Sequence, residues 1–290
     1  MQLHPIPKFN IQYRHQVLDL STPHIMGILN VTPDSFSDGG KHNTLDNALR
    51  HAEQMIKDGA TIIDIGGEST RPNATPVSES EELERVVKVV EKLRQNSDKH
   101  IWLSVDTSSP TVMQACSEVG AGIWNDVRGL SREGAVEMAC QLNIPIMLMH
   151  MRGEPTTMNQ LDNYDNVVED VLNELEQRLT AITQAGVPRH NIIIDPGFGF
   201  AKNFEQNMTL LNQFYRLHEF ERPVMVAISR KRSMGDVLRQ AGLPHEVHER
   251  DNVSMVAGLL AVQQGACIVR THDVAKTKTA LAMWQHIHNV

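Results

Sequence analysis

The chain has 290 residues, 41% of them apolar and 21% charged, with 18 glycines and 13 prolines. That composition supplies a large core and excludes a disordered, collagenous or low-complexity polymer. Its 27 basic and 35 acidic side chains sum to −8, with an isoelectric point near 5.9, which argues against a broad cationic face for nucleic acid or anionic membrane and leaves room for a local anion pocket.

The length suits either one α/β barrel of about 250 residues or two smaller domains. No apolar run reaches the about 20 residues of a membrane span, and the opening MQLHPIPKFN lacks the core of a signal peptide, so a cytoplasmic location is expected. Residues 1–24 contain the strand-like FNIQYRHQVLDL, expected as a short β-hairpin extension covering the bottom of whatever follows. From residue 25 onward, eight β-rich runs alternate with helix-period segments: IMGILNVT, TIIDIGGES, IWLSVDTS, GIWNDVRG, IPIMLMHM, IIIDPGFG, VMVAIS and CIVRTHD.

Local signals support the alternation. Ser78 with Glu81 forms a capping box, and Ser109 before Pro110 opens a second helix. Asp251 is expected to cap a helix with an apolar face of Val253, Val256, Ala257, Leu260 and Ala261. Gly59, Gly120 and Gly265 each stand between a helical pattern and a strand, as a glycine just past a helix end should. Eight βα units without a G-x-G-x-x-G after the first strand favour an α/β fold of the (β/α)8 TIM barrel type over an open doubly wound sheet, with residues 25–290 as a single domain. Cys116, Cys140 and Cys267 lie in apolar segments and read as buried small hydrophobes.

Reactive groups in such a barrel gather at the C-terminal ends of the strands. Those ends carry Asn30, then Glu68, Thr70 and Arg71, then Asp106, Asn125 and Asp126, His150, Asp195, Lys231, and finally Arg270 and His272. Glu68, Asp126 and His150 individually read as caps. Collectively, Asp106, Asn125 and Asp195 suit a flat heterocycle rich in N–H donors, while Lys231, Arg270 and His272 suit an anion at the phosphate site usual after strands 7 and 8. DPGFGF brings Phe198 and Phe200 to a rim in a chain with only 4% aromatics, and one of them is expected to pack beneath its loop. His245 and His248 lack an HExxH context and read as a solvated face.

The stretches GILNVTPDSFSDGG, IIDIGGESTRP, SVDTS, NDVRG, HMRGEPTTM, DPGFGF, SRK and RTHD, in that order, resemble the dihydropteroate synthase family of pterin-binding barrels over residues 24–285. The resemblance implies a transferase of folate synthesis that joins (7,8-dihydropterin-6-yl)methyl diphosphate to 4-aminobenzoate, a Mg2+ cofactor, sulfonamide competition and a homodimer. It implies that Asp106, Asn125, Asp195 and Lys231 hold the pterin, with Val127 and Met149 lining its slot. Asn30, Arg270 and His272 would hold the diphosphate with Mg2+, and Asp106, Lys231, Arg270 and His272 would carry the catalysis. Pro33, Ser35, Phe36, Thr70, Arg71 and Phe200 would shape the aminobenzoate pocket. Asn73 and Ala201 stand where the family's pattern has glycine. A Schiff-base aldolase, with Lys231 activated by Arg230 and Arg232, is the other enzymatic reading of the rim.

Overall fold

The computed structural model describes residues 4, 6–31, 41–68 and 77–288. A hairpin of β1 (Asn10–Tyr13) and β2 (Gln16–Asp19) comes first, its strands antiparallel. Eight parallel strands follow: β3 (His24–Asn30), β4 (Ile62–Gly66), β5 (Trp102–Asp106), β6 (Ile123–Asp126), β7 (Ile146–Met149), β8 (Ile192–Asp195), β9 (Met225–Val226) and β10 (Ile268–Thr271). They lie in the order β8-β7-β6-β5-β4-β3-β10-β9, and a parallel bridge between Ile194 and Val224 joins the two ends into a barrel.

The surrounding helices are α1 (Lys41–Lys57), α2 (Glu79–Asn96), α3 (Pro110–Glu118), α4 (Ala135–Leu142), α5 (Val167–Gln184), α6 (Phe204–Asn212), α7 (Arg232–Gln240), α8 (Asp251–Gln263) and α9 (Val274–His288). Both α7 and α8 fall between β9 and β10, linked through a short 3-10 turn at Val247–Arg250.

Period-2 alternation sorts the strand residues into two cores. Ile63, Ile65, Leu103, Val105, Trp124, Leu148 and Ile194 face outward and pack with Val86, Val90, Val112, Val171 and Leu175 of the helices. Met26, Ile62, Trp102, Ile123, Met147, Ile193, Met225 and Ile268 face inward, where Ile11, Leu18 and Leu20 of the hairpin segment join them. The hairpin therefore plugs the bottom of the barrel. Two residues further along the same inward rows stand Asp64, Ser104, Asn125, Met149, Asp195 and Arg270, so the interior changes from apolar to polar towards the strand ends.

Ser78 and Glu81 form the capping box of α2, and Ser109 accepts from the Val112 amide at 3.2 Å with Pro110 in the first turn of α3. Asp251 departs from its expected role. It lies inside the first turn of α8, and its carboxylate is taken by Arg230 Nε at 2.5 Å. The buried face of α8 is Asp251, Ser254, Ala257, Gly258, Ala261 and Val262, whereas Val256 is 47% exposed. Ala257 and Ala261 of the expected face are thus buried, and Gly258 lets the helix pack closely on β10, where a Cβ on it would stand 3.1 Å from Val269 Cγ1. Cys116 and Cys267 are buried, and burial pushes both thiols up to about 12.

Candidate functional site

The floor of the upper barrel is a charge network spanning four strands. Arg270, projecting inward from β10, donates from Nε to Asp64 Oδ2 at 2.7 Å and from Nη2 to Asp106 Oδ2 at 2.7 Å. Asn125 Nδ2 donates to the same Asp64 oxygen at 3.0 Å. Asp64 is fully buried, and its second oxygen accepts no hydrogen bond among the described residues. Burial raises the Asp106 pKa; Arg270 opposes that shift and Asp64 adds to it.

Asp195 ends β8 and accepts from the Gly197 amide at 2.8 Å. Burial pushes this carboxyl up, and the Lys231 ammonium opposes the shift. Lys231 Nζ donates to the Phe198 carbonyl and lies 4.2 Å from the centre of the Phe200 ring. Its pKa is lowered to about 8, chiefly by burial; Asp195 opposes the shift and Arg270 reinforces it. The arginines beside it in sequence are engaged elsewhere, Arg230 on Asp251 and Arg232 with an 89% exposed side chain. The activation of Lys231 by Arg230 and Arg232 that the aldolase reading requires is therefore corrected: Arg270, distant in sequence, is the cation that acts on it.

Val127 and Met149 lie in one buried apolar cluster with Met158, Phe200 and Ala201, beside Asp195 and Lys231, so Phe200 stands with the residues expected at the pterin slot. Phe198 packs beneath the loop, its ring 6.2 Å from that of Phe214. Ala201 has a left-handed φ of 49° where glycine would be relaxed. Its buried methyl belongs to the apolar cluster, and about 0.8 kcal/mol of burial offsets much of the backbone cost.

Arg270 and His272 were expected to share one anion. Their partners differ: the guanidinium sits on Asp64 and Asp106, whereas the His272 ring meets Ser229 Oγ at 3.0 Å. Asn30 ends β3 opposite Gly66 of β4.

Of the remaining rim residues, Asp126 caps its own loop, accepting from the amides of Arg128 at 2.9 Å and Leu130 at 2.8 Å. Glu68 pairs with Arg128 at 3.2 Å. His150 is no cap, since its ring bridges Lys202 and Glu174. His245 and His248 are exposed, and among the described residues no group of three His, Cys, Asp or Glu side chains could hold a metal. Pro33, Ser35, Phe36, Thr70, Arg71 and Asn73 lie outside the described residues.

Sequence reasoning missed Asp64, Met158 and Lys202. Asp64 did carry a signal: a carboxylate in the inward phase of IIDIG, set by Ile62 two residues earlier.

The chain matches the pterin binding enzyme family over residues 26–272. It is 47% identical over 264 residues to dihydropteroate synthase of Escherichia coli strain K12, with 91% of each chain covered. The chain belongs to the dihydropteroate synthase family. Family membership makes it a transferase on a pterin-binding barrel. Two solved structures of the family superpose with TM-scores of 0.90. One is a Yersinia pestis dihydropteroate synthase in a sulfonamide drug complex, 44% identical with 97% of this chain and 100% of that chain covered. The other is a Xanthomonas albilineans dihydropteroate synthase with 4-aminobenzoic acid, 43% identical with 98% and 100% covered.

Proposed function

We propose that the rim condenses (7,8-dihydropterin-6-yl)methyl diphosphate with 4-aminobenzoate, releasing diphosphate and forming 7,8-dihydropteroate. The observation that carries this reading is the convergence of Asp106, Asn125, Asp195 and Lys231 beside the apolar slot of Val127 and Met149. Two carboxylates and an amide match the N–H edge of a pterin, while apolar walls cover its faces. A coupled diphosphate-release assay, run with and without 4-aminobenzoate, tests it. Release that does not depend on aminobenzoate overturns the reading.

The aryl amine is already neutral at pH 7, so the barrier lies in breaking the C–O bond to diphosphate. Asp106 and Asp195 favour positive charge on the pterin methylene. His272 and the outer edge of Arg270 face the departing anion, and each preorganised donor contributes about 3 kcal/mol. The displacement is accordingly SN1-like, and a bridging-carbon isotope effect typical of tight in-line attack argues against it. Pro33, Ser35, Phe36, Thr70, Arg71 and Phe200 complete the aminobenzoate pocket in this reading.

Asn30 brings a hard amide oxygen to the end of β3, a donor that suits Mg2+ when substrate phosphates and water complete the shell. Asn30 would hold the ion, which when bound neutralises charge on the diphosphate. A homodimer, a cytoplasmic location and a single barrel domain over 25–290 with 1–24 as its extension belong to the same proposal.

A further inference from the structure

We propose that Lys202 is a positioning residue for the pterin pocket, its ammonium pinning the 195–201 turn against the end of β7 and so fixing Asp195 and Lys231 in place. The inference rests on the pterin reading of the rim.

Lys202 is buried, 9% exposed, and Nζ meets three acceptors: His150 Nδ1 at 2.9 Å, Phe200 O at 3.0 Å and Gly197 O at 3.1 Å. An ammonium has three hydrogens, so every donor is used. Because His150 Nδ1 accepts from Lys202, the ring's proton lies on Nε2, which donates to Glu174 Oε2 of α5 at 3.0 Å. Arg152 Nε holds the other Glu174 oxygen at 2.9 Å. The anchor thus runs from the turn through β7 to an outer helix.

The pinned turn holds both pocket residues in question. Gly197 donates to Asp195, Phe198 O accepts from Lys231, and the Phe200 ring lies beneath the Lys231 ammonium. Gly197 sits so close to the β7 end that a Cβ there would stand 1.9 Å from the His150 carbonyl. A fixed turn is therefore what keeps an acceptor and a cation at a set separation across the slot. A buried charge is costly without compensation. Burial lowers the Lys202 pKa to about 7, with Asp195 opposing the shift, and the Lys202 charge in turn opposes the upward shift of Asp195.

The test is calorimetric titration of 6-hydroxymethylpterin into the wild-type chain and the variants Lys202→Met, Lys202→Arg and Asp195→Asn, with steady-state kinetics and thermal melting alongside. Lys202→Met is expected to weaken the pterin by about tenfold or more. The KM for the pterin diphosphate should rise in parallel, and Lys202→Arg should retain part of the affinity. Wild-type pterin affinity in folded Lys202→Met, while Asp195→Asn loses it, overturns the role of Lys202. If Lys202→Met does not fold, Lys202→Arg decides by the same criterion. Pterin affinity that falls only in step with the melting temperature, with no recovery in Lys202→Arg, also overturns it, because that is general support of the fold. Unchanged affinity in Asp195→Asn sinks the pterin reading itself, and the inference with it.

Discussion

Arg270 reaches from the last strand of the barrel to Asp106 on the third, 2.7 Å between Nη2 and Oδ2, and its Nε simultaneously holds Asp64 at 2.7 Å. Removing the guanidinium leaves two buried carboxylates facing one another, an arrangement that costs about 3–5 kcal/mol. Arg270→Met should therefore lower stability in chemical denaturation by that order. It should also weaken free pterin as well as the diphosphate ester, because the Asp106 carboxyl, already raised by burial, loses the cation that opposes that rise. Adding Asp64→Asn should restore part of the stability. A variant that loses only affinity for the diphosphate ester would return Arg270 to a role on the tail alone.

Gly197 has φ of 69°, and an added Cβ would collide with the His150 carbonyl at 1.9 Å. Backbone and collision act in the same direction, and the two nearest atoms, His150 O at 1.9 Å and His150 C at 3.1 Å, are backbone. Gly197→Ala is expected to cost at least about 2 kcal/mol and to weaken pterin binding, since Asp195 takes the amide of this residue. Thermal melting and fragment titration report both effects.

Stability should depend on pH through His150. Burial, reinforced by the Lys202 ammonium, lowers its pKa to about 4, against 6.5 when unperturbed. Between those values the unfolded chain binds a proton that the folded chain refuses. The contribution is complete above pH 6.5 and is lost as pH falls towards 4. Down to pH 4.5 that amounts to about 2 kcal/mol. Glu174, held near 2 by His150 and Arg152 against the effect of burial, takes up no proton in the folded state in this window. His24, His51 and His218 are lowered in the same direction, so the informative comparison is with His150→Gln. Urea unfolding at pH 7 and 4.5 should show a shallower loss in the variant; equal losses would remove His150 from the account.

Leu20 is fully buried in the plug beneath the barrel. Leu20→Ala should cost about 2–5 kcal/mol without changing either KM, because the plug and the rim occupy opposite ends of the strands. A change in substrate KM at constant fold would show that the bottom of the barrel communicates with the top.

The architecture was readable because each strand repeats the same physical requirement, one row inward and one outward, between helices with legible caps such as Ser78. The rim residues were readable because strand ends are where side chains leave the packed interior. What escaped was pairing at a distance. Nothing near Arg270 in the sequence says that its guanidinium meets Asp64, 206 positions away. Lys202 stands just past DPGFGFA, where a lysine ordinarily reads as solvated, and only folding reveals that its three acceptors surround it. Val256 misled for a different reason: Ala257 and Ala261 of the expected face of α8 are buried, but apolar periodicity alone extends that face one position too far, to the exposed Val256.

The barrel closes through a two-residue β9 and the single bridge from Ile194 to Val224, reinforced by the Ile194 amide on Pro223 O at 2.8 Å. This is the thinnest seam in the cylinder, and Asp195 and Lys231 stand on either side of it. A molecule bound between them would act as a staple across the seam. Hydrogen exchange at the Ile194 amide should consequently slow more on pterin binding than exchange at Val105, which sits mid-sheet in β5.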